Sequence, residues 1–181
     1  MIIVLGLPGS GKSTVLSLLQ DKSCKRLNYG SLMFEIAQKE FGISSRDEIR
    51  KLTAEKQKKV QAKVGEMLAN EKGKVLLDTH CSVSTPSGYL PGLPNKLLSK
   101  LKVDALVLIR APIDEIMKRR QADPTRKRDA DEIGKLHEQD SFNISLLASY
   151  SALSGAPAKI ITNKDGKAKE AAVELDALLS Q

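Results

Sequence analysis

An apolar run, Ile2 to Leu5, breaks off at Gly6 into Gly6-Leu7-Pro8-Gly9-Ser10-Gly11-Lys12-Ser13-Thr14. The run is too short to carry an amphipathic helical period and ends at a glycine, so it predicts a strand buried on both faces of a parallel sheet. The segment that follows has the spacing G-x-x-x-x-G-K-[ST]. Glycines at those positions let successive backbone N–H groups point into one concavity, and a helix opening near Lys12 adds its unpaired amides to the same anion. Lys12 supplies a mobile ammonium for outer phosphates. The Ser13 hydroxyl is placed to ligate the Mg²⁺ that a nucleoside triphosphate carries. A plain glycine-rich turn explains neither Lys12 nor Ser13, so Gly6 to Thr14 reads as a phosphate loop.

The rest of the composition narrows the partners. With 181 residues the chain suits one domain with a substantial core. Aromatics make up 3% and Trp is absent, which predicts an aliphatic core and argues against aromatic platforms for stacking nucleic-acid bases. The net charge of +7 suits a small polyanion as well as a nucleic acid. Two cysteines, Cys24 and Cys81, make neither a disulfide framework nor a four-ligand zinc site. The apolar start is too short for a signal peptide, and no run has membrane-spanning length. The expectation is a soluble cytoplasmic protein with no membrane partner and no stable nucleic-acid partner.

Along the chain, Val15, Leu18 and Leu19 describe a first helix, and Lys25 to Asn28 a second strand. A helix from Ser31 to Gly42 follows, then a short one opened by the capping-box pattern Ser45 to Glu48. Another, Ala54 to Glu71, places Val60, Val64, Met67 and Leu68 inward and its lysines in water. This all-helical stretch, residues 29 to 72, is too long for a minimal crossover and predicts an inserted acceptor-binding subdomain. Val75 to Asp78 is an apolar strand ending in an acid, the position from which a carboxylate reaches Mg²⁺ through water. Thr79 to Pro94 reads as a long loop lining the site, with His80 in reach of an acceptor phosphate and Tyr89 able to wall a base.

Asn95 to Leu101 reads as a short helix and Ala105 to Ile109 as a further strand. Ile113, Ile116 and Met117 face inward from the next helix, which runs into Arg119, Arg120, Arg126 and Arg128 across a break at Pro124. Cations at a helix end answer its dipole, but arginines continuing past the break predict a short lid, residues 119 to 129, over phosphates. A long helix, Asp129 to Leu153, is expected to bury Ile133, Leu136, Ile144 and Leu147, with His137 structural. A strand, Lys159 to Thr162, and a helix with Ala171, Ala172, Leu175 and Leu179 inward complete the chain.

Strands alternating with helices predict a three-layer α/β fold of the phosphate-loop NTPase kind, a parallel five-stranded sheet with ligands at its carboxyl edge. Its core would be residues 1–28, 73–118 and 130–181, as a single kinase domain. A guanine-reading N-K-x-D is missing, since Asn163-Lys164-Asp165 lacks that spacing. Two insertions suit a kinase for a small acceptor, one holding the acceptor and the other excluding water. Other nucleoside monophosphates or small molecules could be the acceptor. A different class, an RNA-associated ATPase switch, would show salt-sensitive RNA binding and ATP hydrolysis without an acceptor.

Asn28 to Gln38, the Asp78-Thr79-His80 step, the Thr85 to Pro94 loop and the Ser154 to Ile161 segment together resemble the archaeal type of adenylate kinase. The resemblance spans nearly the whole chain. It implies Mg²⁺-dependent conversion of ATP and AMP to two ADP, and a homotrimer. AMP is expected near Gly30, Ser31, Arg46, Arg50, His80 and Tyr89, and Lys12 and the lid arginines are expected to be catalytic. Widespread adenylate kinases have Thr-Gly-Asp and a nearby Arg at the acceptor phosphate. Here Tyr29-Gly30-Ser31 stands there and the Arg position falls near Phe34, so Arg46 or Arg50 is expected to substitute. The archaeal proteins also tend to carry Asn-Arg in the long helix, whereas Asn143 here precedes Ile144.

Overall fold

A computed structural model describes residues 1–49, 51–121 and 132–180. In chain order they form β1 (Ile2–Gly6), α1 (Lys12–Ser17), β2 (Lys25–Asn28), α2 (Tyr29–Phe41), α3 (Arg46–Ile49), α4 (Ala54–Ala69) and β3 (Val75–Asp78). Then come β4 (Ser82–Thr85), β5 (Gly88–Pro91), α5 (Asn95–Leu98), β6 (Ala105–Arg110), α6 (Ile113–Gln121), α7 (Glu132–Ser154), β7 (Ala158–Thr162) and α8 (Ala168–Leu179).

The main sheet is parallel throughout, in the order β2-β3-β1-β6-β7. β1 is central because it is apolar at every position and both of its faces are covered. Ile3 and Leu5 point to one side, joining Leu32, Ile36, Val60, Val64, Leu68, Leu147 and Tyr150. Ile2 and Val4 point to the other, with Val15, Leu19, Ala171 and Leu175. This alternation across a strand is the period of two that places helices on both faces. The five-stranded parallel sheet between helical layers is the architecture that the strand-helix alternation predicts.

Several local expectations are corrected. Met67 is 45% exposed, and Gly65 takes its place on the inner face of α4, where it lies against Leu97. Ile133 and Ile144 are 48% and 37% exposed, so neither belongs to the core. The buried line of α7 is instead Leu136, Asp140, Asn143, Leu147 and Tyr150, a helical stripe with two polar members. The 79–94 segment is not wholly irregular. β4 and β5 pair antiparallel, from Ser82 opposite Pro91 to Thr85 opposite Gly88, around a turn at Pro86 and Ser87.

The polar positions on α7 hold this hairpin down. Asn143 Oδ1 accepts from Ser82 Oγ at 2.6 Å, and Gln139 Nε2 donates to the same hydroxyl at 3.1 Å. Tyr150 Oη donates to Cys81 O at 2.9 Å and accepts from Leu93 N at 3.1 Å, gripping both ends of the segment. Arg110, at the end of β6, pairs with Asp140 through both carboxylate oxygens, which raises the guanidinium further above its ordinary value.

Candidate active site

The segments that follow β1 and β3 and the last turn of α6 meet at a cleft of about 400 Å³, lined by Leu7, Pro8, Gly9, Gly11, Lys12, Ser13, Thr14, His80 and Arg119. The turn begins at Gly6 and closes with Ser10 N donating to Leu7 O at 3.0 Å. Gly9 and Gly11 have φ of 94° and 78°, left-handed values that side chains with a Cβ disfavour. Gly11 is also the residue before the first turn of α1, with Val15 N donating to its carbonyl at 3.0 Å. A Cβ there would collide with Asn163 Nδ2, which donates to Ser10 O at 2.9 Å from the segment after β7.

Lys12 lies beneath this loop, its ammonium paired with Asp78 Oδ1 from the end of β3. Burial lowers Lys12 to about 8, so it still carries its charge at neutral pH with the Asp78 carboxylate beside it. The second oxygen, Asp78 Oδ2, accepts from Asn28 Nδ2 at 2.8 Å. Asn28 Oδ1 in turn accepts from Ser31 N at 2.9 Å and Ser31 Oγ at 3.1 Å, capping α2. Ser31 Oγ accepts from Arg46 at 2.7 Å. One unbroken chain of hydrogen bonds thus runs from the phosphate-loop lysine into the helical insertion.

Two of the four expected lid arginines, Arg119 and Arg120, lie in the last turn of α6. Arg119 donates to Asp165 Oδ1 at 2.8 Å, Glu115 Oε2 at 2.9 Å, Asn163 O at 3.2 Å and Gly9 O at 3.4 Å. Arg120 donates twice to Pro8 O, at 2.7 and 2.9 Å. Both fasten α6 to the phosphate loop, and Arg119 also lines the cleft. Arg126 and Arg128 lie outside the described residues, as does Arg50. Tyr89 sits on the hairpin against α7, its ring centroid 5.2 Å from that of Phe142 and its hydroxyl donating to Lys135 O at 3.3 Å. Gly30 and Ser31 are in the first turn of α2, with Gly30 exposed. His80 is exposed at the cleft wall.

A family model described as an AAA domain matches residues 5–137. An adenylate kinase from Methanopyrus kandleri is 43% identical over 180 residues, covering 96% of this chain and 94% of that protein. Another, from Thermoplasma acidophilum, is 40% identical over 177 residues with the same coverage. The chain belongs to the adenylate kinase family. A third adenylate kinase, from Methanocaldococcus jannaschii, is 37% identical over 187 residues, 99% of this chain and 97% of that one. A solved shikimate kinase from Acinetobacter baumannii, in complex with shikimate, overlays with a TM-score of 0.61 at 21% identity, over 99% of this chain and 92% of its own. That likeness shows a shared fold and extends no further.

Within the adenylate kinase fold, Asn28, Asn163, Glu115, Asp165 and the Arg110–Asp140 pair are positions to which the sequence reading gives no place at the site. Asn28 and Asp78 are opposite each other in the β2–β3 register, a relation between segments that no local spacing reveals. For Asp140 and Asn143 a signal did exist, since they continue the helical line of Leu136, Leu147 and Tyr150.

Proposed function

We propose that this adenylate kinase transfers the γ-phosphoryl group of MgATP directly to the phosphate of AMP, reversibly, giving two ADP. The observation that carries the reading is the hydrogen-bonded chain Lys12–Asp78–Asn28–Ser31–Arg46, which joins the donor loop to the inserted helices. A hydrolytic switch has no need of that connection. A kinase does, because its rate depends on holding two phosphorylated substrates in one geometry.

The residues fit Mg²⁺. The Ser13 hydroxyl lines the cleft and the Asp78 carboxylate is paired with the cleft-lining Lys12, two hard oxygen donors, and the described residues contain no cluster of three metal-ligating side chains. That set suits an ion bound chiefly by triphosphate and water, which Ser13 would hold directly and Asp78 would hold through water. Bound there, Mg²⁺ neutralises phosphate charge.

The chain's own groups do the remainder. Loop amides from Gly6 to Thr14 cradle the donor phosphates, and Lys12 turns its ammonium from Asp78 towards them. Arg46, with Arg50, takes the charge of the AMP phosphate beside Gly30 and Ser31. His80 and Tyr89 border the acceptor side. Arg119, which lines the cleft, and Arg120, Arg126 and Arg128 are the cations proposed to offset the charge of the transferring group. AMP arrives largely dianionic at neutral pH, so the reaction needs no general base.

Replacing Lys12 with Met should lower turnover about 10²-fold or more and leave the fold intact. Replacing Arg46 with Ala should raise KM for AMP far more than KM for ATP. Near-normal turnover in the first variant, or equal effects on both substrates in the second, would refute the assignment. The archaeal resemblance supports a homotrimer, for which sedimentation should give three times the 19.7 kDa chain mass. A cytoplasmic setting is proposed as well, in keeping with Cys24 and Cys81 being free and buried.

A further inference from the structure

We propose that Asn28 is the positioning residue that locks the acceptor site and the metal-side carboxylate into one arrangement. The inference rests on the reaction proposed above. Asn28 ends β2 and is paired in register with Asp78, so its side chain starts directly beside that carboxylate. Its Nδ2 donates to Asp78 Oδ2 at 2.8 Å, leaving Oδ1 to Lys12. Its Oδ1 accepts two bonds from Ser31, one from the backbone that opens α2 and one from the hydroxyl that holds Arg46.

Only a carboxamide can do both. The Ser31 N–H demands an acceptor and the Asp78 carboxylate demands a donor, which fixes the orientation of the amide and joins the two sites through three bonds. A carboxylate at this position would keep the cap on α2 but confront Asp78 with a like charge. A hydroxyl would keep the cap and fall short of Asp78. Asn28 therefore acts on the reaction through Asp78 on one side and through Ser31 and Arg46 on the other.

The two arms separate by substitution. Asn28→Ala removes both. Calorimetry of the full chain with AMP alone should show its Kd rise about tenfold, with kcat down about tenfold and the Kd of MgATP within about a factor of two. Asn28→Ser restores the cap, so AMP affinity should return to within about threefold of wild type while kcat stays low. This split between AMP affinity and kcat is what a mere helix cap cannot produce. If Asn28→Ala does not fold, Asn28→Ser alone decides: near-normal AMP affinity with lowered kcat supports the role, and wild-type kcat overturns it. A wild-type chain that binds no AMP would overturn the reaction itself, a result distinct from a wild type that binds and turns over beside an unaffected Asn28→Ser variant.

Discussion

Replacing Gly11 with Ala puts two separate strains on the phosphate loop. Gly11 has φ of 78°, and a residue with a Cβ pays about 1–2 kcal/mol for that left-handed conformation. The new Cβ also collides with Asn163 Nδ2 and comes within 3.4 Å of Arg119. Asn163 must then release Ser10 O, which it holds at 2.9 Å between residues 3% and 0% exposed. Losing a buried hydrogen bond and leaving its acceptor dry costs about 1–3 kcal/mol. The two effects sum to about 2–5 kcal/mol. Asn163→Ala alone should cost about 1–3 kcal/mol, for the same lost bond. In the double variant nothing remains for the Cβ to displace, so its cost should fall short of the sum of the single costs by about 1–3 kcal/mol. Urea unfolding of the four proteins measures this directly. Strict additivity, or a Gly11→Ala cost below about 1 kcal/mol, would refute the geometry given for the loop.

Asp140→Ala strands the Arg110 guanidinium and should cost about 1–3 kcal/mol in urea unfolding, less than for a fully buried pair because the arginine side chain keeps 33% exposure. Burial pushes the Cys81 thiol up to about 12, so at pH 8 it is almost wholly protonated and enclosed, and a thiol reagent should modify it only after unfolding. Val64→Ala removes methyl groups from a site of 0% exposure and should cost about 2 kcal/mol, whereas Met67→Ala, one turn along on the wet side of α4, should stay within about 0.5 kcal/mol.

What could be read from residues alone was whatever the chain expresses locally. Gly6 to Thr14, the acid at the end of Val75 to Asp78, and the strands β1, β3 and β6 announce themselves through spacing or unbroken apolar runs. Ser31 and Arg46 were expected together on the acceptor side, and the structure joins them by a hydrogen bond. What was hidden depends on pairs of distant segments. The β2–β3 register that sets Asn28 against Asp78 is a tertiary fact. So is the clamp of α7 on the hairpin, which puts Asp140 and Asn143 on an inner face and turns Ile133 and Ile144 outward. Hydrophobic periodicity fails where a buried face is built from ion pairs and hydrogen bonds, because each polar member is paired by a partner far along the chain. Met67 misled for the opposite reason, being an apolar residue one position from a face whose close contact with Leu97 is made by Gly65.

The central claim is that the loop, the Asp78 network and the insertion serve transfer between two nucleotides. A coupled assay of ADP formation from MgATP, run without acceptor and then with AMP, CMP, UMP, GMP or shikimate, tests it most directly. The account predicts ADP in quantity only when AMP is present, two molecules for each AMP consumed. Equal ADP formation without any acceptor, or a rate greatest with shikimate or another monophosphate, would contradict it.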